Sequence, residues 1–411
     1  MGMNAIEKIL ASHSDQDVVR PGDVVMVDVD VTVQFDHARP DILKIANPDK
    51  LVLLHDHVVP APTVQAANNA KRLREFVDRF GIEHYFPVGK HGISHVLVAA
   101  EGYALPGQIL VNADSHTCSS GAMNCLARGM GGPEMLYIMC KGQTWYLVGP
   151  TTKVVLEGSL PEHVYPRDVI HFLPGNYGDF AGRNLEWYGD GLSTIGIDGR
   201  LTMATISAEL SAEFSLFPYD DVLADYLDGR AKWPFEPAQP DDDAEYDQVI
   251  TIDLSALEPQ VVLPNRVAWN TKTAREVAGE RVKVDQAFIG SCANGRLSDF
   301  AVAAEIVQGR TLAHGTRMIV TPGSQDILKE AIRLGYVETL MDAGAVVTSS
   351  TCGACFGGHM GLLADGEVCI TASTRNFKGR MGSPLASVYM GSPATVAASA
   401  VTGYITDPRD L

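Results

Sequence analysis

The stretch Ala287-Phe288-Ile289-Gly290-Ser291-Cys292-Ala293-Asn294 decides the fold class. A short apolar run breaks at a glycine into a small polar loop that carries a cysteine, which reads as a buried strand ending at a site. The pattern recurs. Leu51 to Leu54 runs into His55-Asp56-His57, and Ile109 to Val111 into Asp114-Ser115-His116. Ala345 to Val347 runs into Thr351-Cys352, and Val368 to Ile370 into Ala372 to Arg375. Several of these runs are followed by helical patterns, so the chain reads as α/β. In open α/β sheets, ligands sit beyond the carboxyl ends of the strands, where loops converge and helix amino termini point inward. Polar chemistry at each of these strand ends therefore argues for one shared site.

The rest of the sequence sets the frame. Its 411 residues suffice for two to four domains of about 100–200 residues each. An apolar share of 46% against 20% charged, without low-complexity tracts, excludes a fibrous or disordered chain. Lys plus Arg number 32 and Asp plus Glu 50, a net charge of −18. That field repels phosphate backbones and anionic lipid, so neither nucleic acid nor membrane is an expected partner, while a local basic pocket for a small anion remains open. MGMNAIEKIL lacks the pattern of a secretory signal, and no run approaches the roughly 18–20 apolar residues of a membrane helix, so a cytoplasmic location is expected. Seven cysteines are sparse and odd in number, which favours reduced thiols over a disulfide framework. Composition shifts at Gly149-Pro150 and across the Pro- and acid-rich Trp233 to Asp243 suggest three α/β domains, 1–150, 151–245 and 246–411, the last shift acting as a linker.

Cys352-Gly353-Ala354-Cys355 is the sharpest chemical feature. In a glycine-rich loop, a C-x-x-C pair lets two thiolates face one metal centre, and the loop of Cys292 can supply a third. Zinc usually takes four ligands, and His359 is the only nearby candidate for a fourth. Three cysteines on an iron–sulfur cubane leave one iron open, while a thioredoxin-like pair or a chance C-x-x-C is the plainer alternative. Cys125, Cys140 and Cys369 lie in apolar text and read as inert thiols; Cys118 follows the Asp-Ser-His-Thr loop and stays outside the ligand set. A carboxylate beside an imidazole, as in Asp56-His57 and Asp114-Ser115-His116, suits proton transfer or the orientation of a metal-bound water, although solvated strand ends look the same. His95 alone reads as a core histidine. Arg375, Lys378 and Arg380 form a cationic loop in an acidic chain, and bidentate arginine suits a carboxylate. No phosphate-binding glycine motif accompanies them.

Taken together, the motifs resemble the aconitase superfamily, most closely the branch of cluster-bearing large subunits that includes the 3-isopropylmalate dehydratases and homoaconitases. The resemblance runs nearly end to end. It rests on AIEKILA and RPGD near the start, DHVVP (56–60), GISH (92–95), ADSHTC (113–118), IGSCANGR (289–296), TPGS (321–324), CGAC (352–355), RNFKGR (375–380) and ITDPR (405–409). It implies an aconitase-like arrangement of three α/β domains around a cluster cleft, without the swivelling fourth domain. It also implies that Cys292, Cys352 and Cys355 hold a [4Fe-4S] cluster. Asp56, His57, His95, Asp114, His116 and Glu209 match the catalytic residues, while Arg375, Arg380 and Ser115 match the substrate-binding ones.

The implied chemistry is that of a hydro-lyase, reversible dehydration of a 2-hydroxy di- or tricarboxylic acid, with a place in leucine biosynthesis. Three departures touch the site. Thr205 and Thr374 stand where the family usually has Asn, and Ser211 stands where a glycine is expected, so homocitrate-type acids or another substituted malate compete with isopropylmalate as substrate. In the family the catalytic serine comes from a swivelling domain with a Gly-Ser-Ser-Arg type loop, and no such sequence occurs here. A separate small subunit is therefore expected to supply that serine. A cluster-free RNA-binding or structural relative is the reading from a different class, and the net charge of −18 opposes the RNA arm of it.

Overall fold

The computed structural model describes residues 2–37 and 42–411. Its frame is three sheets and a ribbon. The first sheet is five-stranded and wholly parallel, in the order Tyr85–Phe86, Leu51–Leu54, Val31–Phe35, Ile109–Asn112, Leu126–Gly129. Leu51–Leu54 and Ile109–Asn112 are buried along their whole length, as unbroken aliphatic runs must be when both faces of a parallel sheet are covered. A second parallel sheet orders Ser215–Leu216, Asn184–Tyr188, Thr151–Glu157 and Gln248–Asp253. The third has seven strands in the order Thr271–Thr273, Gln260–Val262, Ser387–Met390, Val368–Thr371, Gln286–Ile289, Arg317–Val320, Val346–Val347. Its first two pairings are antiparallel and the rest parallel. An antiparallel ribbon of Val24–Asp28 and Gln143–Leu147 completes the frame.

Each apolar run that ends in chemistry is a strand, and the family's parallel α/β fold is the one observed. The Pro- and acid-rich stretch at 233–243 is not a linker between sheets. The strand that follows it, Gln248–Asp253, pairs with Thr151–Glu157, so the second sheet is completed beyond residue 245. One continuous apolar core, including Val33, Leu54, Leu110, Trp187, Leu201 and Phe217, runs through the first two sheets. The seven-stranded sheet has its own core around Phe300, Val320 and Ile370. Among the described residues no helix is long and apolar enough to cross a membrane.

Strand order places the site. In the first sheet the chain starts at Val31–Phe35 and adds strands on one side, then on the other from Ile109–Asn112; the third sheet reverses likewise between Gln286–Ile289 and Val368–Thr371. At such reversals the loops part and leave a crevice beyond the strand ends. The loops of His57, Asp114, Cys292 and Arg375 all leave from those ends. Close approach fixes one of them: a Cβ at Gly129 would stand 2.2 Å from the carbonyl oxygen of Asp114, so this strand end can lie against the Asp114 loop only as glycine. Gly129→Ala is expected to cost about 1–3 kcal/mol through overpacking, read as a lower denaturation midpoint at unchanged slope.

Candidate functional site

The site lies where loops of the five- and seven-stranded sheets are tied together. Thr351 Oγ1 donates to the carbonyls of Asp56 (3.0 Å) and His57 (2.9 Å), and the Ile93 N–H donates to the Gly323 carbonyl at 2.7 Å. Across this seam Cys292 and Cys352 pack with Ile93 and Val96 in one small apolar cluster. Cys355 is turned inward by a single 3₁₀ turn, Gly353–Phe356. Gly353 has φ +51°, a left-handed conformation open to glycine at little cost, and this makes the turn between the paired cysteines possible. On the other loop Ser291 holds φ +75°, which costs a side-chain-bearing residue about 1–2 kcal/mol and sets the direction of Cys292.

All three thiols are free and buried. Cys352 Sγ lies 3.3 Å from Asp56 Oδ1; Cys355 Sγ lies 3.8 Å from Thr374 Oγ1 and 3.9 Å from Arg380 Nη2. Burial pushes Cys292 and Cys352 well above the usual thiol range, and neighbouring negative groups, Cys355 and Asp56 among them, add to it. Burial opposes ionisation of Cys355 too, but Arg380 and the Thr374 N–H outweigh it and leave its pKa lowered. His359 is not placed as a fourth ligand, because its Nε2 is engaged with the His57 carbonyl at 2.9 Å. Atoms of Asp56, His57 and Cys352 lie within 4.8 Å of one another, so a thiol, a carboxylate and an imidazole also converge on one point.

Beside the thiols runs a chain of alternating carboxylates and imidazoles. Asp114 Oδ1 lies 2.8 Å from His95 Nε2 and 3.4 Å from His116 Nδ1, and Asp114 Oδ2 lies 3.5 Å from His57 Nε2. His116 Nε2 lies 2.8 Å from Glu209 Oε1. Glu209 accepts from Arg375 Nε at 2.6 Å, and Arg375 Nη2 donates to Ser115 Oγ at 2.9 Å. Burial would deprotonate His57, yet Asp56, Asp114 and Asp36 overrule it and raise its pKa to about 10. The same contest, with Asp114 and Glu209 as partners, raises His116 to about 9. Burial raises Asp56, Asp114 and Glu209 as well, but their imidazole partners, led by His57, His95 and His116, bring all three below the usual carboxylate values. At neutral pH His57 and His116 are thus imidazolium ions among carboxylates.

Each singled-out residue of the Asp56, His57, His95, Asp114, Ser115, His116, Glu209, Arg375, Arg380 and three-cysteine set is in this one constellation. His95 is not merely a core histidine, since its Nε2 is spent on Asp114. His55 faces away, with Nε2 at 2.9 Å from the Tyr85 hydroxyl, and burial first, then Arg74 and His91, lowers its pKa to about 4. Cys118 is apart from the three thiols. Its Sγ donates to the Ala204 carbonyl at 3.1 Å, burial raises it to about 12, and it lines a cavity of about 180 Å³ with Ser115 and Arg375.

Asp36 escaped the sequence reading. It is buried and accepts the N–H groups of Asp56 (3.0 Å) and His57 (2.7 Å), while Phe35 stacks on His57 at 4.8 Å. The only available signal was its place after Val31–Phe35, one more strand ending in a polar residue. Of the departures, Thr374 puts its hydroxyl beside Cys355, whereas Thr205 donates to Leu201 of its own helix at 2.6 Å. Ser211, with φ +61°, ends the turn that carries Glu209 in a glycine-like conformation.

The sequence matches the model of the aconitase family (aconitate hydratase) over residues 7–403. Over its whole length it is 51% identical to the 3-isopropylmalate dehydratase large subunit of Mycolicibacterium smegmatis, of which 98% is covered. The proteins of that name from Nitratiruptor sp. and Halothermothrix orenii are 42% and 40% identical, with all of both chains covered.

Asp36→Ala leaves two inward N–H groups unpaired and is expected to cost about 2–3 kcal/mol, measured by chemical denaturation. Ser211→Gly should relieve the left-handed strain and, after the added freedom of the unfolded chain is deducted, stabilise by roughly 0.5–1 kcal/mol, seen as a raised thermal midpoint.

Proposed function

The chain belongs to the aconitase family, and from that premise we propose that it is the cluster-bearing large subunit of a hydro-lyase of the 3-isopropylmalate dehydratase type. One observation carries the reading: three buried thiols from two loops meet a carboxylate–imidazole chain that ends in a guanidinium. The donor set suits the group. Three soft thiolates from two loops, with His359 engaged by the His57 carbonyl and Asp56 and His57 paired with each other, suit an iron–sulfur cluster with one open iron better than tetrahedral zinc. We assign Cys292, Cys352 and Cys355 as the ligands of a [4Fe-4S] cluster. When bound, such a cluster supplies a Lewis acid that polarises the C–O bond to be broken.

The residues of this chain do the rest. Dehydration removes a hydroxyl group, which departs as water only if a proton reaches it. The imidazolium ions of His57 and His116 hold such protons at Nε2, and Asp114, shared by three imidazoles, keeps them charged and oriented. Arg375 is fixed by Glu209 and Ser115 in a pose where its remaining N–H groups can take a substrate carboxylate, and Arg380 offers a second guanidinium beside Cys355. Removal of the proton on the adjacent carbon needs a base that is not itself ion-paired. We assign that step to a serine of a separate small subunit. The supporting fact is that relatives named as large subunits are matched over essentially their whole length.

Anaerobic reconstitution followed by reduction with dithionite is expected to give a four-iron EPR signal that Cys352→Ser abolishes. The chain alone should be inactive, and co-expression with its small subunit should restore turnover. Among isopropylmalate, citrate, homocitrate, citramalate and dimethylmalate, the first should have the highest kcat/KM. Preference for another acid would move the assignment within the family, and stoichiometric zinc in place of iron would overturn it.

A further inference from the structure

One strongly charged group in the interior is not used by the chemistry above. Arg167, in the helix Pro166–Tyr177, is 1% exposed. Its Nη1 donates to Asn294 Oδ1 at 2.6 Å and to the Ala372 carbonyl at 2.5 Å, and its Nη2 donates to the Ser373 carbonyl. Every one of these acceptors is neutral. Among the described residues no carboxylate is within ion-pair distance of it, and its Nε has no partner. Of the two acids that act on it through space, Asp168 accepts from the Gln260 and Tyr165 N–H groups and Asp299 from Asn294 Nδ2 and the Arg296 N–H, all at 2.8 Å. A guanidinium stays charged at neutral pH and is costly to bury without an opposite charge. None of its hydrogen-bond acceptors carries the opposite charge, so its charge is answered only through space, by those two acids and by any anion held in the loops it bridges.

The partners of Arg167 say where that anion is. Asn294 stands two residues after Cys292. Ala372 and Ser373 stand just before Thr374, whose hydroxyl lies beside Cys355, and before Arg375. Arg167 thus spans the crevice between the strands Gln286–Ile289 and Val368–Thr371, where the seven-stranded sheet reverses its strand order. Burial lowers its pKa to about 10, while Asp168, Asp299, Cys355 and Cys292 act in the opposite direction, so both thiols are within its electrostatic reach.

We propose that Arg167 is the built-in counter-ion of the three-thiol site: its buried positive charge answers the thiolates of Cys292 and Cys355 when a cluster is held, and its N–H groups join the cysteine loop to the Arg375 loop. It is a positioning residue and touches no reacting atom. The proposal rests on the iron–sulfur reading and adds to it a source of affinity and of redox poise. A fixed cation beside an anionic cluster favours its more reduced state, so removal of the charge lowers the reduction potential.

The test compares Arg167→Gln and Arg167→Lys with the unaltered chain after anaerobic reconstitution. Iron loss to a chelator and the midpoint potential of the bound cluster are measured, with no recourse to turnover. Arg167→Gln should lose iron about 10–100-fold faster, the range for outer partners of metal ligands, and show a lower potential. Arg167→Lys, which keeps the charge but not the planar fork, should show the same potential and lose iron at a rate between those of the unaltered chain and Arg167→Gln. An unchanged rate and potential in Arg167→Gln, or equal losses in both variants, would overturn the proposal. Where Arg167→Gln does not fold, Arg167→Lys decides alone: an unchanged potential supports the counter-ion and a lowered one overturns it. If the unaltered chain takes up no iron, the iron–sulfur assignment itself has failed, a result distinct from any difference between variants.

Discussion

Asp114 is a carboxylate at the end of a buried strand, and burial alone would force a proton onto it. It stays ionised because His95, His116 and His57 converge on its two oxygens. His116 and His57 are in turn held protonated by Asp114 and by their own second acids, Glu209 for His116 and Asp56 for His57. Charge at this site is a property of the set. Loss of one member leaves its neighbours as unpaired charges in a low-dielectric interior, where that is most costly. Imidazolium ions, carboxylates and a guanidinium can share so small a volume because each is already half of a pair.

The backbone supplies what this arrangement needs, which is convergence without flexibility. Two sheets turn the ends of their reversing strands toward each other, so residues separated by nearly three hundred positions meet at Thr351 and Asp56. Buried ties hold the loops. Asp36 clamps the Asp56-His57 backbone, Thr351 binds the carbonyls of the same two residues and His359 that of His57, and Arg167 fastens the Cys292 loop to that of Arg375. A shift in one loop is therefore felt by the others, and the left-handed strain at Ser291 is tolerated because the surrounding bonds fix it.

Much of this was legible in the sequence because the strands are fully buried and parallel. Such strands read as plain aliphatic runs, and their ends are marked by a change to Gly, Asp, His or Cys. The cysteine pair, the Asp-Ser-His loop and the arginine loop follow from that grammar. Asp36 did not, because Val31–Phe35 alternates Thr and Gln with its apolar residues and so lacks the unbroken run. Arg167 was hidden for a different reason: a helix that begins Tyr-Pro-Arg-Asp looks like any solvated first turn, and only packing shows that its guanidinium points inward. The stretch 233–243 misled because proline and acid disfavour regular structure without saying whether the chain is leaving a domain or crossing back to finish a sheet.

The three thiols are unequal in their surroundings. Cys292 and Cys352 lie against Ile93 and Val96, with Asp56 close to the latter sulfur, so in the free chain both are held in the neutral form. Cys355 has a guanidinium, a hydroxyl and an N–H directed at it and ionises first. A metal centre held by the three thiols, as proposed, would meet one sulfur readier to ionise and would displace protons from the other two. Sulfur that accepts hydrogen bonds donates less electron density to a bound metal, so Cys355, with Thr374 and Arg380 at its sulfur, would be the poorer donor and Cys352, with Asp56 at its sulfur, the richer.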